Sequence, residues 1–350
     1  MNVKTKKKLL ALSALMLTLV CVLTAFPVGA SAANGERLRL IPGGMTFGVQ
    51  LQTRGVLVSG ITEVNTDKGR VSPAREAQIR AGDIIYEVNS RQINTVDALT
   101  EEVERSCGEE LSLSVERNGQ NIQKKITPVL SSDCGEYRTG VIVKDNTAGI
   151  GTITFIDAQT HAFGGLGHGI CDFETGVLMP MHKGRVCGVR ITDIKKGRKG
   201  TPGELKGYFT ANKTGALTGN TPQGVFGVLD TPPENLMDPV EIMEASELKT
   251  GRAYIYSALD SKAPEKYEIK ILRIADRERD SKNFIIEVTD ERLLEKTGGI
   301  VQGMSGSPII QNGRLAGAVT HVMINDPTVG YGIFIENMLN AAQMPMAKAS

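Results

Sequence analysis

Gly303-Met304-Ser305-Gly306-Ser307-Pro308 places a serine between glycines at the spacing of a nucleophile turn. A serine hydroxyl is a weak nucleophile at neutral pH. It needs a base to take its proton and donors to hold the oxyanion that forms when it attacks a carbonyl. Gly303 tolerates backbone angles that a Cβ forbids, so the amides of Gly303 and Ser305 can converge as an oxyanion hole beside the Ser305 hydroxyl. Gly306 leaves room for a substrate backbone. The chemistry such a turn could do is acyl transfer. The same six residues also describe an ordinary Gly/Ser turn before a strand, so the surroundings must decide.

The base must come from four histidines. His168 lies in Ala162-Phe163-Gly164-Gly165-Leu166-Gly167-His168-Gly169-Ile170, where flanking glycines permit close approach of other segments. It is the first choice. His161 opens the same stretch and is the second. His182 follows Pro180-Met181, and His321 ends the apolar run after the serine.

Those side chains have to be held by β structure. Thr297 to Gln302 reads as a strand entering the turn, and Pro308 to His321 as a hairpin leaving it, with Asn312-Gly313 as a two-residue hairpin signal between apolar runs. A nucleophile just before a hairpin fits a chymotrypsin-type barrel and not the strand-to-helix elbow of α/β-hydrolases. Short apolar runs recur upstream at 141–143, 150–155, 186–191, 253–256, 267–271 and 284–288, separated by glycine turns. That spacing predicts an all-β peptidase domain of two packed barrels over residues 136–342. Lys195 to Gly200 is a basic, solvated turn, and an exposed basic loop is also a natural site of self-cleavage.

Residues 35–130 read as a PDZ domain. Ser72 to Asn89 has its order of short helix, Gly82-Asp83 turn and apolar strand. A helix begins after Asn94, a reasonable cap, and Asn118-Gly119 turns one strand into the next. PDZ domains bind peptides by strand addition, with backbone amides on a terminal carboxylate. Phe47-Gly48-Val49 is the candidate carboxylate loop. The plainer reading is a folding module or spacer with an empty groove. The whole chain is thus expected to be mainly β, a PDZ domain followed by a trypsin-like double β-barrel.

Lys4, Lys6, Lys7 and Lys8 precede an apolar run from Leu9 to about Val28, closed by Ala30-Ser31-Ala32. This is a secretory signal over residues 1–33, long enough to serve as an uncleaved membrane anchor. Either way the body is exported. Forty basic against 39 acidic residues leave a net charge of +1, which favours neither nucleic acid nor another anionic partner. Cys107, Cys134, Cys171 and Cys187 permit one or two disulfides, with Cys171 and Cys187 placed to clip the loop after His168, or stay as free thiols. No metal-ligand spacing and no cofactor motif occurs.

Phe163 to Ile170, Val288-Thr289-Asp290, the run Gly298 to Pro308 and the PDZ-like segment together resemble the SpoIVB-type serine peptidases of endospore-forming bacteria, from the N-terminal apolar segment to about Asn340. The resemblance implies a triad of His168 as base, Ser305 as nucleophile and Asp290 as orienting acid. Asp290 is only 15 residues before the serine, and it could instead cap a helix starting at Glu291. Asp193 and Asp230 occupy the more usual interval between histidine and serine. The resemblance also implies a setting: cleavage of a membrane-associated regulatory protein in the forespore intermembrane space, triggering intramembrane processing of a late sigma factor. Self-cleavage and PDZ binding to the protein's own chain are implied too. The competing class is a non-catalytic PDZ adaptor with a degenerate peptidase domain.

Overall fold

The computed structural model describes residues 37–233, 236–260, 263–275 and 281–344. The expected signal or anchor lies outside them, and among the described residues no helix is long and apolar enough to cross a membrane. Two strands open the described chain, β1 (Arg39–Pro42) and the 16-residue β2 (Thr46–Ile61). The small domain follows: β3 (Val64–Thr66), β4 (Gly69–Val71), α1 (Pro73–Glu76), β5 (Ile84–Val88), β6 (Arg91–Gln92), α2 (Val96–Arg105), β7 (Leu111–Arg117), β8 (Gln120–Ile126), β9 (Val129–Leu130) and β10 (Tyr137–Arg138). Then come β11 (Val141–Ile156), β12 (Ala162–Gly165), β13 (Met181–Lys195), β14 (Glu204–Thr221), β15 (Gly224–Leu229) and β16 (Val240–Glu241). The last third holds β17 (Gly251–Ser257), β18 (Glu265–Ile274), β19 (Phe284–Val288), α3 (Glu291–Thr297), β20 (Pro308–Gln311), β21 (Arg314–Met323), β22 (Asp326–Phe334) and α4 (Ile335–Ala341). The mainly β expectation holds.

Strands β17 to β22 close a barrel in the order β17-β18-β19-β22-β21-β20. Alternation drives it: Tyr267, Ile269 and Ile271 of β18 and Phe284, Ile286 and Val288 of β19 are buried, while their neighbours face outward. Each such side chain contributes on the order of 1.5–3 kcal/mol on leaving water.

A second ring closes through the pairings β2–β11, β11–β12, β12–β15, β15–β14, β14–β13 and β13–β2. Its core holds Phe47, Val49, Ile153, Phe163, Val186, Leu217 and Val225. The first strand of this barrel therefore precedes the PDZ-like segment in the chain. Thr46 to Gln52 pair with β11 and Gly48 to Thr53 with β13, whereas Val56 and Leu57 pair with β5 and Val58 to Ile61 with the start of β11. One strand serves both bodies because its apolar residues alternate up to Leu51 and then run unbroken through Val56, Leu57 and Val58, all buried. The segment expected as the PDZ domain, 35–130, thus includes a strand that the barrel of the segment expected at 136–342 also uses. The PDZ fold is inserted between the first two strands of a barrel, and all described residues fall in one compact unit.

Within the insertion, Leu99 and Val103 of α2 pack on Val56, Val58, Ile85, Leu113 and Val115. Thr95 caps α2, its hydroxyl accepting from the Ala98 amide at 3.1 Å. Asp145 of β11 accepts from the Val96 amide at 2.8 Å. The first turn of the PDZ helix is thereby tied to the barrel strand.

Candidate active site

The turn before β20 is held by its carbonyls. Thr152 Oγ1 donates to Gly303 O at 2.7 Å, the Thr152 amide to Ser305 O at 2.9 Å, and Thr154 Oγ1 to Gly306 O at 2.8 Å. Both threonines are fully buried on β11, so the first barrel grips the nucleophile turn of the second. Gly306 has φ +97, and a Cβ there would fall 1.9 Å from Thr152 O. No other residue fits without moving β11. Gly303 has φ +98, also a conformation that glycine adopts readily. The amides of Met304, Gly306 and Ser307 donate to Val301, Val319 and Met304 carbonyls. Among the described residues the amides of Gly303 and Ser305 donate to nothing. Those are the two that an oxyanion would need.

His168 arrives from β12. The Leu166 amide donates to Thr152 O at 3.2 Å, and Gly167 passes so close to β21 that a Cβ would meet Thr320 Cγ2 at 2.9 Å. The half-buried His168 ring then lies 4.8 Å, centroid to centroid, from that of His321. Ser305 Oγ donates to the carbonyl of Thr320, the residue before His321, at 2.6 Å. Serine and histidine are therefore gathered around two consecutive residues of β21. His168 Nδ1 is 2.9 Å from Gly169 O. A carbonyl only accepts, so Nδ1 carries the proton and Nε2 keeps its lone pair, the arrangement a general base requires. Burial pushes the His168 imidazole below its ordinary value. Burial, then His168, then Lys282 push His321 down to about 4. Both rings are neutral at pH 7.

The other histidines are elsewhere. His161 sits in the β11–β12 turn, at the opposite end of β12, and His182 is exposed on β13. Asp290 is not brought to His168. It caps α3, accepting from the Arg292 amide and guanidinium and from the Glu268 amide, each at 3.0–3.1 Å. Arg292 first, with help from the Glu268 amide, holds its carboxyl below the usual range. The reason is distance as well as partners. Thr320 Oγ1 donates to Ser281 O, just before β19, whereas Asp290 follows the far end of that strand, roughly 13 Å along at ~3.3 Å per residue. Asp193 is exposed on β13, and Asp230 is exposed and faces Lys213 at 3.8 Å. Asp172, four residues after His168, is engaged by Lys144 and Thr175. No carboxylate touches His168 among the described residues.

Phe47-Gly48-Val49 also needs correction. These residues lie inside β2, paired with Gly151 to Gly149 on one side, while Val49 and Gly48 face Val186 and Cys187 on the other. Their backbone is used by the barrel, and a Cβ on Gly48 would meet the Phe209 ring at 2.4 Å. They do not form a carboxylate loop. The four described cysteines are free thiols, Cys187 buried and the others exposed.

The SpoIVB peptidase S55 family model matches residues 135–339, and a PDZ domain model matches residues 43–127. The chain belongs to the SpoIVB peptidase S55 family. Residues 135–339 are accordingly a serine endopeptidase domain, a hydrolase of peptide bonds, and the chain carries a PDZ domain. Among curated proteins, the zinc metalloprotease RasP of Shouchella clausii is 36% identical over 74 residues, which is 21% of this chain and 17% of that protein's length. Among solved structures, the Rv3671c protease of M. tuberculosis in its active form is 15% identical, covering 58% of this chain and 76% of that one, with a TM-score of 0.34. The HtrA-type protease AlgW with tripeptide is 14% identical over 56% of this chain and 55% of its own, with a TM-score of 0.34.

Three residues of this S55 site escape a reading by motif. Thr152 and Thr154 had a signal, two threonines alternating with apolar residues in Gly149-Ile150-Gly151-Thr152-Ile153-Thr154-Phe155. His321 had none beyond its type.

Proposed function

We propose that the protein is an exported serine endopeptidase in which Ser305 is the nucleophile, His168 the base, and the Gly303 and Ser305 amides the oxyanion hole. The observation that carries this is the convergence of Ser305 and His168 on Thr320–His321 beside two unoccupied amides. In the reaction His168 Nε2 takes the Ser305 proton as Oγ attacks the peptide carbonyl. The negative charge moves onto the carbonyl oxygen under the two amides. The same proton then passes to the leaving amine. In the present arrangement the hydroxyl is donated to Thr320 O, so attack first requires Ser305 to turn toward His168.

Family membership supports the setting: sporulation signalling in the forespore intermembrane space, on a membrane-associated regulatory protein whose cleavage triggers intramembrane processing of a late sigma factor. The basic and apolar N-terminus supports export and attachment to the membrane. Self-cleavage, with the PDZ domain engaging the protein's own chain, completes the proposal.

One observation favours the adaptor reading, namely that Ser305 and His168 share no hydrogen bond among the described residues. A serine-reactive fluorophosphonate separates the two. The peptidase is labelled, and Ser305→Ala abolishes both labelling and proteolysis, a loss on the order of 10⁶ in turnover, with the fold intact. Wild-type protein that resists labelling leaves the adaptor.

A further inference from the structure

Every catalytic imidazole must be held in one orientation over its nucleophile, and among the described residues no carboxylate does this for His168. What lies against it is a second imidazole. His321 is contributed by β21 of the other barrel, its ring 4.8 Å from that of His168 with 38° between the planes. The His321 Nδ1 is buried and has no hydrogen-bond partner. A polar nitrogen left unpaired in a protein interior is destabilising, a cost that an apolar ring at this place would not carry. The residue before it, Thr320, receives the Ser305 hydroxyl.

We propose that His321 is a positioning residue for His168, a plate against which the base is stacked so that Nε2 faces Ser305 while Nδ1 is fixed by the Gly169 carbonyl. The pair divides the task that one carboxylate performs in a Ser-His-Asp triad. Gly169 O sets the tautomer, and His321 sets the plane of the ring. Because His168 belongs to the first barrel and His321 to the second, the contact also aligns the seam across which attack occurs. A shift of about 1 Å in a reacting group costs on the order of 10²-fold in rate, which is the scale of effect expected here.

The inference rests on the proposed roles of Ser305 and His168, and its test fails separately from theirs. The rate of fluorophosphonate labelling at Ser305 is measured across pH in the full chain for wild type, His321→Ala and His321→Phe, with melting curves for each. Alanine removes the plate, so the maximal labelling rate is expected to fall by about 10- to 100-fold with the probe's apparent affinity unchanged. Water then reaches His168, and the pH at half-maximal rate moves upward toward the ordinary 6.5, a change that a distant packing defect would not produce. Lys282 faces His321 and is retained in every variant. Phenylalanine restores a ring and is expected to recover the rate to within about threefold, which keeps the test readable should the alanine variant not fold. A wild-type rate in His321→Ala overturns the proposal, as does an equal loss in folded His321→Phe. Absence of Ser305-dependent labelling in wild type would instead overturn the peptidase reading.

Discussion

The two barrels differ in how the chain builds them. Barrel two is drawn from one continuous stretch, with β17 to β22 lying between Gly251 and Phe334. Barrel one takes β2 from before the PDZ insertion and β11 to β15 from after it, so its closing pairs join residues about a hundred positions apart, such as Phe47 with Gly151. Long-range pairings repay the entropy of loop closure only once the intervening chain is ordered. Barrel two can gather its core locally. Barrel one depends on the PDZ fold to bring β2 and β11 together. The nucleophile sits on the first kind of body and the base on the second.

The largest test of this contrast is truncation. A protein of residues 135–339, the peptidase as the family match bounds it, lacks β1 and β2 and leaves β11 and β13 with open edges. It is expected to show no cooperative melt attributable to barrel one and no Ser305 labelling, because Thr152 and Thr154 lose the strand that holds them. A protein of residues 37–344 is expected to melt cooperatively and to be labelled. Full labelling of the shorter protein would break the comparison and restore the PDZ domain as an upstream module.

Acid should act at the seam. His168 and His321 are both held neutral by burial, with His321 lowered from 6.5 to about 4. Below pH 6.5 the unfolded chain takes up protons that the native rings resist, so stability is full above that value and is lost as pH falls toward 4. The loss from His321 is expected to be of order 2 kcal/mol, less than the full shift implies because solvent reaches part of the ring. Denaturant midpoints from pH 7 to 4 measure it, and His321→Phe should flatten the slope. An unchanged slope in that variant would place the acid sensitivity away from the seam.

How much of this was legible follows the same division. The serine turn, its glycines and the Asn312-Gly313 hairpin are contiguous, so local rules of turn geometry and alternation sufficed for them, whereas Thr297 to Gln302, expected as a strand entering the turn, is the end of α3 and a segment with one isolated bridge at Gln302. The glycine-flanked His168 was legible for the same reason. Phe47-Gly48-Val49 was misread because a strand that pairs with β11 and β13 has no local signature distinguishing it from a PDZ strand. The long-range partners alone decide. Asp290 carried two readings in its sequence, helix cap before Glu291-Arg292 or triad acid, and the structure brings the cap together. His321 and the two threonines act through contacts across about 150 residues; the alternation of Thr152 and Thr154 with apolar residues marks a strand but not what it holds.

Asp290 offers a smaller and local test within barrel two. Removing the cap, the Arg292 pair and the Glu268 amide contact in Asp290→Ala should cost about 1–2 kcal/mol, and Asp290→Asn should recover most of it, since an amide oxygen still accepts from the helix amide. Thermal melts measure both. The same two proteins tested with fluorophosphonate then say whether the carboxylate has a second task. Equal labelling of Asp290→Asn and wild type leaves it a cap. A loss on the order of 10⁴ with unchanged stability would mean that the active state moves the start of α3 and uses the charge as a triad does.

The smallest effect is expected two residues from the nucleophile. Ser307 is fully buried in barrel two, and its hydroxyl has no hydrogen-bond partner among the described residues. The amide, by contrast, donates to Met304 O, and the carbonyl receives the Val319 amide, so the backbone alone holds the residue. A buried hydroxyl without a partner is a desolvation cost, and alanine removes it while leaving a gap of one oxygen atom. The two effects oppose one another, and the net change is expected to lie between about 0 and 1 kcal/mol of added stability, with labelling at Ser305 within about twofold of wild type. Because the backbone bonds of Ser307 run to Met304 and Val319, both of barrel two, barrel one should register little of the change. A loss of more than 1 kcal/mol in the melt would show that the Ser307 hydroxyl has a partner in solution. A loss of labelling at unchanged stability would extend the catalytic machinery to Ser307 and blur the line drawn between the turn that reacts and the core that carries it.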